Sequence, residues 1–198
     1  MLCLFVGLFQ AKGQNFTGGL IGGINGAQLD GDGVGGYYKP GLVLGFAAGF
    51  PINEKWTIEP EFMFSQKGSR TTMDQFLDQG IPYVHFKLNY VDLPIMATYK
   101  LRPDLHFQIG LSPNVLLGAE EEDANGLTAD RRDFFSTIDI MGAAGLEYRI
   151  LPKLRLNMRF CYSVLSTSKG DITQIPVYNH NNVLSFTLRY YMFGAREE

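Results

Sequence analysis

The sequence predicts an all-β fold: an eight-stranded, antiparallel, up-and-down transmembrane β-barrel. Apolar residues recur at every second position through eight separate stretches, the mark of strands with unlike faces. The connections alternate between short turns and long polar loops, as they do in membrane barrels. No run approaches the roughly 20 apolar residues of a membrane helix, whereas alternating strands cross a bilayer without showing in a hydropathy average.

At 198 residues the chain reads as one domain. A net charge of −3 with no basic stripe excludes a nucleic-acid partner. Residues 1–13 read as a signal peptide that lacks its basic start, with an apolar run from Leu2 to Phe9 and a small-x-small site at Ala11-Lys12-Gly13. The competing reading is a buried first strand. The barrel domain then spans residues 14–198. Cys3 leaves with the leader, so Cys161 stands alone, without an intramolecular disulfide, and is read as packing.

The first segment, Phe16 to Asp30, is glycine-rich. The second, Lys39 to Phe50, sets Leu42, Leu44, Phe46 and Phe50 against small residues. After the turn PINEK, the third runs from Trp56 to Lys67, with Trp56, Ile58, Phe62 and Phe64 opposing Glu59, Glu61, Ser65 and Lys67. The fourth, Tyr83 to Leu101, opposes Val91, Leu93, Ile95 and Tyr99 to Tyr90, Asp92 and Thr98, with Asn89 breaking the phase. The turn RPD leads to the fifth, in which Leu105, Phe107, Ile109 and Leu111 alternate with His106, Gln108 and Ser112. The sixth and seventh form a long hairpin, Phe134 to Ser166, folded at LPK. Its apolar row (Ile138, Ile140, Leu146, Tyr148, Leu156, Met158, Phe160) opposes Asp139, Glu147, Arg149, Arg155 and Arg159. The eighth, Asn182 to Phe193, opposes Leu184, Phe186, Leu188 and Tyr190 to Ser185, Thr187 and Arg189.

Strands of this length, apolar on one face and charged on the other, suit a wall between lipid and a polar interior. The lumen of an eight-stranded barrel is just wide enough for side chains to fill. Glu59, Glu61, Asp92, Asp139, Glu147, Arg149, Arg155, Arg159 and Arg189 are therefore expected to pair in a structural charge network, a salt-bridged plug rather than an aqueous pore. Lys67 and His106 share that inward face. The acids of Glu59-Pro60-Glu61 and Asp92-Leu93-Pro94 are expected to meet arginines of the last three segments. Aromatics should anchor both interfaces, with Phe50, Trp56, Tyr99, Phe107 and Tyr148 near the short turns and Phe64, Tyr83, Phe134 and Tyr162 near the long loops.

Three stretches carry a family resemblance: GGINGAQLDGDGVGGYYKPGLVLGF, IEPEFMFSQKGSR and KLNYVDLPIMATYKL. In order and content they resemble the PorT-like outer-membrane β-barrel family of Bacteroidetes. The resemblance covers most of the chain after the leader. It implies an eight-stranded barrel in the outer membrane of a Gram-negative cell; one branch of the family assists secretion and gliding. The chain departs from the usual C-terminal assembly signal, because Gly194-Ala195-Arg196-Glu197-Glu198 follow Phe193.

Other motifs point to no chemistry. Asp30-Gly31-Asp32-Gly33 lacks the later ligands of a calcium loop and reads as a turn. Glu120-Glu121-Glu122-Asp123 could bridge cations to lipopolysaccharide phosphates but reads as a solvated loop. His85, His106 and His180 form no Ser-His-acid set by spacing. The expectation is a non-enzymatic protein with no cofactor and no metal site, its termini periplasmic. Its partners are outer-membrane lipids and envelope or secretion proteins reached through loops or periplasmic turns. The alternatives are a narrow channel and a soluble lipocalin-like binder.

Overall fold

The computed structural model describes residues 16–33, 35–80, 83, 85–169 and 179–194. The leader assigned to residues 1–13, and the tail beyond Gly194, lie outside the described residues. The strands, in chain order, are β1 (Thr17–Asp30), β2 (Lys39–Pro51), β3 (Trp56–Arg70), β4 (His85–Asp92), β5 (Ile95–Lys100) and β6 (Leu105–Glu122), then β7 (Thr128–Asp130), β8 (Ile138–Leu151), β9 (Leu154–Ser163) and β10 (His180–Phe193). One short helix, α1 (Met73–Leu77), lies between β3 and β4.

Every pairing is antiparallel, and β1 pairs with both β2 and β10, so the sheet closes on itself. β4 and β5 are one stave interrupted at Leu93-Pro94. β4 lies along the long-loop half of β3 and β5 along its other half, and both pair with β6. With β7 set aside as an appendage of β6, the barrel has eight staves. Closure is tight at the β1–β10 seam, where Gly23 lies opposite Thr187. A Cβ on Gly23 would run into the Phe186 carbonyl oxygen and the Thr187 backbone, which is why glycine stands at that position.

Prolines explain the interrupted stave. Pro60, Pro94 and Pro113 lie on neighbouring staves, and none has an N–H to give to the ladder. Their carbonyls still accept: Glu61 N–H donates to Pro94 at 2.8 Å and Leu93 N–H to Pro113 at 2.9 Å. The stave is interrupted there without losing its alternation.

The alternation sorts the chain as its periodicity requires. Leu44, Phe46, Ile95, Ile109, Leu111, Leu156, Phe160 and Leu188 are exposed on the outer wall, while Glu59, Glu61, Glu147, Arg159 and Arg189 are buried inside. A soluble binding barrel has the opposite polarity. An outer surface of leucine, isoleucine and phenylalanine on every stave is stable against hydrocarbon rather than water.

Several boundaries differ from the sequence reading. Asn89 does not break the phase of its strand: Phe86, Leu88, Tyr90 and Asp92 all face inward, and the irregularity lies on β6, where the register shifts opposite Asn89 and Tyr90. Asn89 faces outward, accepting from Gln66 at 3.2 Å. β6 continues past Leu117 to Glu122 and folds back as β7, a hairpin beyond the barrel rim. The sixth segment begins at Ile138 rather than Phe134, because Arg132–Phe134 form a 3-10 turn. Next to it, Phe135 is turned into the barrel and is only 1% exposed.

Candidate functional site

The interior divides into three levels. Nearest the short turns, β3 contributes Glu59 and Glu61, β8 contributes Glu147, β9 contributes Arg155 and Arg159, and β10 contributes Arg189. Each sits at an inward position of its strand, so closure brings them together across the lumen. Arg159 holds Glu61 with both guanidinium nitrogens, at 2.8 and 2.9 Å, and also donates to Gln108 at 3.0 Å. Arg189 donates to Glu61 at 2.5 Å and to Glu59 at 3.4 Å, and its Nε lies 3.4 Å from Glu147. Arg155 donates to the other oxygen of Glu147 at 2.7 Å. Thr98 and Gln108 each donate to Glu59 at 2.9 Å, and Asn157 donates to Gln108 at 2.7 Å. Three carboxylates thus meet three guanidiniums in one bonded set, the fork geometry suiting arginine rather than lysine.

A small cavity of about 30 Å³ lies between this set and the next level. There Lys67 donates to Asp92 at 2.8 Å, its ammonium lying 4.5 Å from the centre of the Tyr90 ring. Asp139 accepts from Asn181 at 3.0 Å.

Two expectations about these carboxylates are corrected. Asp92 meets Lys67 from the neighbouring strand, not an arginine of the last staves, because β4 lies against β3. Asp139 is buried beside an asparagine and, among the described residues, has no basic partner. Arg149 also stands apart from the network. It lies half-buried at the mouth formed by the short turns, opposite Arg155 in register.

The third level, toward the long loops, is apolar. Leu29, Phe86, Leu88, Tyr90, Leu116 and Ala119 pack together inside the barrel, and Phe135 enters from the loop between β7 and β8 to complete the cluster, its ring 5.6 Å from that of Phe86. Phe134, expected at the outer aromatic belt, instead packs against this cluster, with the Arg131 guanidinium 4.7 Å from its ring centre. Charge alone therefore does not fill the lumen. Trp56 and Tyr99 pair at 4.8 Å near the short turns, and Tyr162 stacks on His180 at 5.6 Å near the loops, whereas Tyr83 lies off the staves, its ring 5.9 Å from that of Phe76 in α1.

The loop-end motifs resolve into local contacts. Gly31 and Gly33 take left-handed φ values of 106° and 79°, the turn that follows Asp30. Asp30 itself accepts from Gln28 at 2.6 Å and from Asn182 at 3.1 Å. Glu121 accepts from Arg131 at 2.5 Å, and Glu122 pairs with Lys87. Asp123 caps its own turn, accepting from the Leu127 and Asn125 backbone at 2.8 and 2.9 Å; the Leu127 N–H above all holds its carboxyl below the usual range. The three histidines lie apart on β4, β6 and β10, and His180 Nδ1 is 3.1 Å from the Ser163 carbonyl.

Among protein families, the model described as the outer membrane protein beta-barrel domain matches residues 10–169. No curated protein matches the sequence. Among solved structures, the chain is similar to Ail, the attachment invasion locus protein of Yersinia pestis, at 12% identity and a TM-score of 0.52, over 89% of this chain and 98% of that one. It is likewise similar to Neisserial surface protein A, at 14% identity and a TM-score of 0.54, over 89% of this chain and 96% of that one. At these identities the likeness is one of fold.

Proposed function

This chain belongs to the outer membrane protein beta-barrel domain family, and from that premise we propose that it serves the outer membrane as a non-enzymatic structural or interaction protein, accessory to secretion or envelope assembly. It is an outer-membrane β-barrel. The observation that carries the proposal is the filled interior: a bonded set of three acids and three arginines at one end and an apolar cluster closed by Phe135 at the other. With the lumen occupied by its own side chains, the surfaces left for function are the two ends. The dispersal of the three histidines over three strands supports a role without catalysis.

The short turns face the periplasm, with both ends of the barrel domain, and the long loops face outward; the alternation of connection lengths supports this orientation. Residues 1–13 act as an export leader and residues 14–198 form the barrel domain. The resemblance of the first four segments to PorT-like proteins of Bacteroidetes supports the accessory role. Partners are envelope or secretion proteins meeting the loops or periplasmic turns, with outer-membrane lipid around the wall.

Crosslinking of a tagged copy in its native envelope, followed by mass spectrometry, tests the role. A reproducible stoichiometric envelope protein crosslinked through a loop or turn is expected. Recovery of the barrel alone, from cells that insert it normally, would overturn the accessory role.

A further inference from the structure

The end of the barrel bearing the short turns opens into a basin of about 550 Å³. All three short-turn hairpins place cations on its lining: Lys55 from the first, Lys100 and Arg102 from the second, Arg149 and Arg155 from the third. The acids on that lining are Glu54 and Glu59. Glu59 is already engaged by Arg189, Thr98 and Gln108, and Arg155 by Glu147. The network beneath is balanced, so the positive charge of Lys55, Arg102 and Arg149 belongs to the mouth.

Two features show that this is more than a basic rim. Arg149 and Arg155 are directly opposite each other across the β8–β9 ladder, and like charges so placed destabilise a sheet. Such a pair gains when an anion sits between its members. Beneath them, Tyr191 and His106 line the basin at 3% and 9% exposure. The Tyr191 hydroxyl and His106 Nδ1 have no hydrogen-bond partner among the described residues. A buried polar group left unpaired costs about 1–3 kcal/mol, so each is poised to gain from a ligand. The Arg155 guanidinium, 4.5 Å from the centre of the Tyr191 ring, holds that ring in place.

We propose that this basin binds a small water-borne polyanion carrying two or more phosphate or carboxylate groups. The guanidinium forks of Arg102 and Arg149 and the ammonium group of Lys55 take the charge. Tyr191 and His106 supply neutral contacts on the floor. This site is separate from the proposed accessory role, and binding to the detergent-held barrel reads it whichever way the barrel stands in the membrane.

The test is calorimetric titration of the full barrel, in a non-ionic detergent, with inorganic tripolyphosphate and with citrate. One-to-one binding of at least one, weakening as salt rises, is expected; whichever binds tighter tells a phosphate source from a carboxylate one. Arg149→Gln should weaken it at least tenfold. Tyr191→Phe keeps the ring under Arg155 and deletes only an unpartnered hydroxyl, so it should weaken binding about fivefold or more with thermal stability kept or raised. Arg70→Gln, at the opposite end, should leave it as it was. No binding of either anion would overturn the proposal. So would wild-type affinity in Tyr191→Phe, or an equal loss in Arg70→Gln, since either reduces the basin to a diffuse positive surface.

Discussion

Arg159 shows what the interior demands of a single residue. Its two nitrogens grip Glu61, a third contact reaches Gln108, and it is 4% exposed. In that dry setting, removing one partner leaves the other as a buried charge without full compensation, at a cost of about 3–5 kcal/mol. Arg159→Leu is therefore expected to lower stability by about 3 kcal/mol, the lower end of that range, because Arg189 still holds Glu61. Leu156, on the same strand, faces outward and is 43% exposed in the isolated chain. Leu156→Ala loses a few lipid-facing methylene groups and should cost about 1–2 kcal/mol. Urea unfolding in lipid vesicles measures both, and equal effects would contradict the facing of β9. The facing itself was legible, since Arg155, Asn157 and Arg159 alternate with Leu156, Met158 and Phe160. The pairing partners were not. Which acid meets which base depends on the strand order around a closed sheet, so Asp92 with Lys67, and Asp139 with Asn181, emerged only from the fold.

Among the elements, the hairpin with its short turn was the easiest to read and the loop ends the hardest. Period-two alternation located every stave, because one face must meet lipid and the other a polar interior. It could not locate where a strand stops once it has left the wall, since neither face is then constrained. Hence β6 runs on to Glu122, and β8 starts only at Ile138. The same freedom lets the loop before β8 fold Phe135 back among Phe86, Leu88 and Leu116. That residue carries no periodic signal, because it follows a 3-10 turn and makes only an isolated antiparallel bridge, to Ser168, outside the staves. Phe135→Ala should destabilise the barrel by about 3–5 kcal/mol through the cavity left behind. The loss should appear as a lower urea midpoint at unchanged strand content. An effect under about 0.5 kcal/mol, the scale of an ordinary surface change, would show that the loop does not close the barrel.

On the scale of the whole molecule, the barrel is a wall turned inside out and then filled. Its exterior takes the apolar role that a soluble protein gives its core, and its lumen holds charge only because each carboxylate of the lower set finds a guanidinium. The fold class and the polarity of the two faces followed from the alternation and from the connection lengths. The layered filling did not, because a charged inward row looks the same whether it lines a pore or closes one. Planar-bilayer recording of the purified, inserted barrel distinguishes the two most directly. A closed interior predicts a quiet trace with no discrete current steps under applied voltage, in Phe135→Ala as in the wild type, because the ion-paired level still blocks the path. Reproducible ohmic steps from the wild-type barrel would contradict the filled lumen and restore the reading as a narrow channel.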